Sequence, residues 1–161
     1  MLTPQQLGEA FARNAMILKR QAKGLSHADS LIQPPVRGNC LNWVLGHLVD
    51  NRNSILGLLG EEPATDPALV ARYRRESDPV LGDGDGVVPL PALLAALERA
   101  QERLGARLAT ATEDELARER PFGQRSQPVG QTIFFLYFHE TYHTGQAELL
   151  RQLTGTDDKV I

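Results

Sequence analysis

A single cysteine, Cys40, among 161 residues excludes an internal disulfide and any thiolate framework for a metal, so a bound ion would have to use nitrogen or oxygen ligands. Cys40 itself reads as a small buried apolar residue. No apolar run approaches the roughly 18 residues that a membrane span requires. The opening stretch MLTPQQLGEAFARN lacks the charged start, long apolar run and small-residue cleavage site of a secretory signal, so a cytoplasmic location is expected, with no membrane partner. Positive charge is also scarce. Seventeen Lys and Arg stand against 20 Asp and Glu, for a net charge of −3. The densest basic group is Arg72, Arg74 and Arg75, far short of the stripe that phosphate neutralisation needs, and no nucleic-acid partner is expected.

What is present is ordinary globular material. With 42% hydrophobic and 23% charged residues, the chain can bury one substantial core, and one domain over residues 1–161 is expected. Apolar residues recur at helical spacing in four stretches. Thr3, Pro4 and Gln6 form a helix start with a capping box. Leu7, Phe11, Leu18, Ala22 and Leu25 then mark one face of a helix running to about residue 23, with Gly24 as its stop. Residues 26–38, with Pro34 and Pro35, read as a connection, and Asn39 offers a cap for a second helix over about 40–59. On that helix Leu41, Val44, Leu45, Leu48, Ile55, Leu56 and Leu59 mark the core face, and His47 lies at its margin beside Trp43, Asn51 and Ser54.

Proline and glycine interrupt residues 61–88, where a short helix over about 66–76 is expected. The segment Gly82-Asp83-Gly84-Asp85-Gly86 has calcium-loop residue types without the twelve-position spacing or the terminal Glu. A third helix spans about 89–109, with Glu98, Arg99, Glu102, Arg103 and Arg107 on a solvated face. A polar connection over 110–128 leads to a fourth helix over about 129–153. That last helix carries three of the five Phe and two of the three Tyr, and is expected to be the most buried element. No strand-like alternation stands out. Four helices of this length suit an all-α four-helix bundle.

Histidine is rare but concentrated. Of four, His139 and His143 lie four residues apart on the most apolar helix, so both imidazoles face the same way and can share a transition metal. Glu140 follows directly, but it is turned by about 100° and need not share the site. His47, bordering the apolar face of another long helix, is the natural third ligand. Three histidines would leave coordination positions for water or substrate, as catalytic sites do. The competing reading is that these are hydrogen-bonded, partly buried side chains without a metal. His27, in a connecting segment, reads as a surface residue.

The segments NWVLGHLVDN and FHETYHTGQAELLRQL resemble the DinB-like (YfiT-like) superfamily of metal-dependent enzymes, in Gly46-His47 and in His139, His143, Gly145 and Gln146. The resemblance runs the full length. It implies a four-helix bundle of the DinB/YfiT-like type, with His47, His139 and His143 as ligands of a divalent zinc, nickel, iron or manganese ion, commonly in a homodimer. It also implies a small-molecule substrate and a low-molecular-weight thiol as co-substrate. Characterised relatives are transferases joining bacillithiol, mycothiol or glutathione to an electrophile, and a thiol-dependent isomerase. Asp50, Asn51, Tyr142 and Gln146 are candidates for supporting the ligands or touching substrate, each with a plain core or surface role as the alternative. Three functional readings stand at this level: thiol S-transfer in detoxification or stress response, metal-dependent hydrolysis through an activated water, and metal binding without turnover.

Overall fold

A computed structural model describes residues 2–156 and 158–160. Four long helices, α1 (Pro4–Ala22), α3 (Leu41–Leu58), α5 (Leu90–Thr110) and α7 (Val129–Gln152), form the expected bundle. Shorter elements connect them: α2 (His27–Ser30), α4 (Pro67–Val70) with a 3-10 turn over Ala71–Tyr73, α6 (Glu113–Ala117) and the strands β1 (Glu119–Phe122) and β2 (Arg125–Pro128).

The start of α1 follows its sequence signature. Thr3 caps the backbone of Gln6 while the Gln6 side chain accepts from the Thr3 N–H. Gly24 and Gly60 take left-handed backbone after α1 and α3, where a side chain would be strained. The start of α3 departs from expectation. Its N-cap is Cys40, not Asn39, and no side chain caps it; Cys40 is buried, with its thiol 3.5 Å from the Val80 carbonyl.

Burial also differs from the sequence reading. The most buried helix is α3, in which every residue from Leu41 to Val49 is enclosed, because α5, α7 and the α4 segment all pack against it. On α7, by contrast, Phe134, Phe135, Phe138, Tyr142 and Leu149 are exposed. Among the described residues no element encloses its outer face, so aromatic content alone overstated its enclosure.

The 110–128 connection is more ordered than expected. It holds α6, capped by Thr112 and Glu115, and an antiparallel hairpin pairing Glu119 with Pro128 and Phe122 with Arg125. Four-residue strands with no buried residue carry no alternation to read. Two further assignments change. Arg107 is largely covered, bonded to the Leu59 carbonyl and to Glu115. His27 is half-buried in α2, its Nδ1 accepting the Leu90 N–H.

The core falls into two apolar clusters, one around Trp43, Leu45 and Tyr73, the other around Leu7, Phe11 and Ile55. Between these levels of α3 lies Arg52, fully buried, which donates to both carboxylate oxygens of Glu140 at 2.8 and 2.9 Å, to Gln101 and to the Phe11 carbonyl. Each buried charge is thus paired and hydrogen-bonded, as burial demands. The pair also fixes the rotation of α7 against α3. With Glu140 held inward by Arg52, the neighbouring His139 and His143 are turned toward the adjoining face of α3.

Candidate metal centre

α3 and α7 run antiparallel, so that positions 47 and 51 of one lie beside positions 143 and 139 of the other. Here the three histidines converge. The Nε2 atoms of His139 and His143 are 3.2 Å apart, and the ring of His47 is 5.2 and 5.4 Å from theirs, centroid to centroid. One nitrogen from each ring can be chosen so that all lie within 4.8 Å of one another. Among the described residues this is the only group of three or more His, Cys, Asp or Glu side chains that close. The Gly82–Gly86 loop therefore forms no comparable cluster; Asp83 lies beside His27 instead.

Each ring is oriented from behind. His47 Nδ1 lies 2.9 Å from the Tyr73 carbonyl, and the Trp43 indole stacks on the ring at 4.6 Å. His143 Nδ1 lies 2.9 Å from Gln146 Oε1. The Tyr73 carbonyl can only accept, so His47 Nδ1 carries the proton and its Nε2 lone pair is free; Gln146, with its oxygen toward the ring, selects the same tautomer for His143. His139 Nδ1 faces the Asn51 amide at 3.3 Å. A planar amide can present either its nitrogen or its oxygen there, so Asn51 can support either tautomer.

The geometry fits an ion. Two nitrogens each about 2.1 Å from a tetrahedral metal lie roughly 3.4 Å apart, close to the observed spacing of the α7 pair. Imidazole donors suit zinc, nickel and iron. Protonation is suppressed as well. Burial pushes the His47 ring down to about 4, aided by the two neighbouring histidines against the Tyr73 hydrogen bond. His139 is lowered by burial, then by His143 and the Arg75 charge. His143 is lowered by burial, with Gln146 and Glu140 acting in the opposite direction. Each ring is thereby biased toward the neutral form that a metal ligand requires.

The reason for Gly46 becomes visible here. A Cβ at that position would lie 2.3 to 2.5 Å from the Tyr73 ring. Only glycine lets the ring lie flat on α3. The Tyr73 hydroxyl then donates to Asn42 and accepts the Val88 N–H, and its carbonyl reaches His47.

Of the four supporting candidates, Asn51 and Gln146 touch ligand-candidate rings. Tyr142 places its ring edge-on to His143 at 5.6 Å but is 68% exposed. Asp50 is half-buried, its carboxyl raised by burial against the opposing charge of Arg74, and it makes no hydrogen bond to the histidines. Sequence reading gave no role to Tyr73 or Arg75, which act through contacts made only on folding. Trp43 was placed beside His47 but given no role, although residues four apart on a helix meet on one face.

A cavity of about 650 Å³ opens on His47 and His139, within the usual range for small-molecule sites. Leu58, Phe122, Phe135 and Leu136 form its apolar wall, and Phe122 comes from the hairpin, edge-on to Phe135 at 5.5 Å. Asn51, Ser54, Thr132 and Arg75 contribute its polar groups.

Comparison with known proteins agrees with this architecture. A search of curated proteins finds no match. Among solved structures, a crystal structure of mycothiol-dependent maleylpyruvate isomerase, a mutant with one histidine replaced by alanine, superposes with a TM-score of 0.63 at 15% identity. The match covers 89% of this chain and 60% of that one, so this chain spans less than two thirds of that protein's length. At this identity the likeness establishes a shared fold. Residues 10–147, most of the sequence, match the DinB superfamily. The chain belongs to the DinB superfamily.

Proposed function

We propose that this protein is a metal-dependent enzyme in which His47, His139 and His143 hold one divalent ion, and that it joins a low-molecular-weight thiol to an electrophilic carbon. The observation that carries this reading is the convergence of three rear-oriented imidazoles, two of which line a mostly apolar cavity. A divalent ion held there supplies Lewis acidity that keeps a thiol deprotonated near neutral pH. The Tyr73 carbonyl and Gln146 hold the rings of His47 and His143 in the required tautomer. Trp43 fixes the plane of His47. Leu58, Phe122, Phe135 and Leu136 exclude water around the reacting carbon and favour an apolar substrate body.

The cavity favours thiol transfer over hydrolysis. Hydrolases of the H-E-x-x-H type pair the ion with a Glu general base. Here Glu140 is consumed by Arg52, and among the described residues no Asp or Glu lines the cavity. The thiol dependence of the mycothiol-dependent isomerase points the same way. Bacillithiol, mycothiol and glutathione are the thiols to compare, and zinc, nickel, iron and manganese the metals. We also propose a homodimer packed through α7, whose exposed face aligns Phe138, Tyr142 and Leu149 with Gly145, beside which an added Cβ would meet nothing within 4 Å.

Metal content of protein purified without a histidine tag, set against His143→Ala, tests the centre. Near-stoichiometric loading in the parent and loss in the variant is expected. Equal loading in both would overturn the ligand assignment. Thiol consumption on a panel of electrophiles, with and without metal, tests the reaction; ester or amide cleavage in the absence of thiol would replace transfer with hydrolysis.

A further inference from the structure

The basic cluster Arg72, Arg74 and Arg75 is divided by the fold into three roles. Arg72 is spent on structure, donating to the Asp78 and Pro79 carbonyls. Arg74 acts on Asp50, whose carboxyl it draws downward. Of the three only Arg75 lines the cavity, and among the described residues it is the one ionisable side chain there apart from the histidines.

Its position is determined by its neighbours. Two residues earlier, Tyr73 is fully buried, its ring on Gly46, its hydroxyl bonded to Asn42 and Val88, and its carbonyl at His47. One residue later, Glu76 adopts left-handed backbone with φ of 68°, a conformation that costs a non-glycine residue energy and turns the chain sharply. Between anchor and turn, Arg75 is presented at the cavity rim. Its guanidinium is not consumed there. The nearest carboxylate is Glu76 at 3.7 Å, with both side chains more than 80% exposed, a pairing of little energetic weight.

We propose that Arg75 is the specificity residue of this cavity and that the ligand reaching the three-histidine centre carries a carboxylate, gripped by the Arg75 guanidinium while its carbon body lies against Phe122, Phe135 and Leu136. Guanidinium and carboxylate match as a two-pronged, charge-assisted pair. Arg75, His47 and His139 line the same cavity, so a ligand held by the guanidinium can extend to the candidate metal centre. The inference rests on the preceding functional reading only in taking this cavity as the substrate site.

The test compares phenylacetate and 3-phenylpropionate with their neutral amides, titrated into the full chain and followed by backbone amide chemical shifts, with metal and after chelation. The metal-free arm removes direct carboxylate–metal binding as a cause. Each acid is expected to bind at least about tenfold more tightly than its amide, the difference shrinking in about 1 M salt. Arg75→Gln should erase that difference while leaving amide affinity, metal content and thermal midpoint unchanged, and Arg75→Lys should retain part of it. Equal binding of acid and amide, no acid binding at millimolar concentration, or an acid preference that survives Arg75→Gln each overturns the proposal. Because metal content is read separately, absence of an acid preference in the parent protein with intact metal loading fails this inference alone. Absence of metal in the parent protein fails the functional reading instead.

Discussion

Replacing Gly46 by alanine should damage both the fold and the candidate site, and the size of the damage follows from the geometry. The added methyl would sit 2.3 Å from Tyr73 Cγ and 2.5 Å from both Cδ atoms. Ordinary carbon contacts are about 3.5–4.0 Å, so the ring must retreat by more than about 1 Å. It cannot do so freely, because its hydroxyl is held by Asn42 at 2.9 Å and by the Val88 N–H at 2.7 Å, both buried. Overpacking of this kind costs about 1–3 kcal/mol, and a buried partner left unpaired roughly 1–3 kcal/mol more. Against this, alanine in a helix gains at most about 1 kcal/mol over glycine. The net loss is about 2–4 kcal/mol, which for a domain of this size lowers the midpoint by roughly 5–15 °C. Thermal unfolding followed by far-UV circular dichroism measures it. Gly57→Ala, on the same helix with nothing within 4 Å of the new atom, is the control and should be neutral or stabilising by up to about 1 kcal/mol. Displacing the Tyr73 carbonyl also releases His47, so metal affinity in a chelator competition should fall by about 10–100-fold, the usual loss when a ligand's orienting partner is removed. A Gly46→Ala protein melting within 1 °C of the parent with unchanged metal affinity would refute this account of Gly46.

Two further predictions follow from the same features. In the unfolded chain His47 takes up a proton near pH 6.5, whereas in the folded protein it remains neutral until about pH 4. The unfolded state therefore binds the extra proton between these values, and the metal-free protein should lose stability as pH falls through that window. The loss from His47 is on the order of 3 kcal/mol, with His139 and His143 adding in the same direction. Urea unfolding of chelated protein at intervals from pH 7 to 4 checks this, and a flat profile contradicts it. For the dimer, sedimentation at micromolar concentration should show a species twice the 17.7 kDa chain mass, reduced to the monomer by Phe138→Glu on the exposed face of α7; a parent protein already monomeric there removes the proposal.

The long helices were legible because their signals are local. Thr3, Pro4 and Gln6 write a helix start within four residues, and the spacing of Leu7, Phe11 and Leu18 shows a buried face directly. The short hairpin was not, since Glu119–Phe122 and Arg125–Pro128 bury no residue fully and hold together by backbone pairing, which leaves no apolar pattern. The burial of α7 was misjudged for a related reason. Phe134, Phe138 and Tyr142 are apolar, but residue type alone does not reveal whether another surface covers them.

The amino-acid order by itself determined the four-helix bundle and the pairing of His139 with His143, because both rest on helical periodicity, which needs only nearest neighbours along the chain. It also brought out His47 as the third histidine. The tertiary structure decided the rest: that Arg52 and Glu140 set the rotation of α7 against α3, that Gly46 makes room for Tyr73 and hence for the carbonyl behind His47, and that Arg75, rather than Arg72 or Arg74, reaches the cavity. Each of these depends on side chains far apart in sequence competing for the same space, and that competition is resolved only when the helices pack.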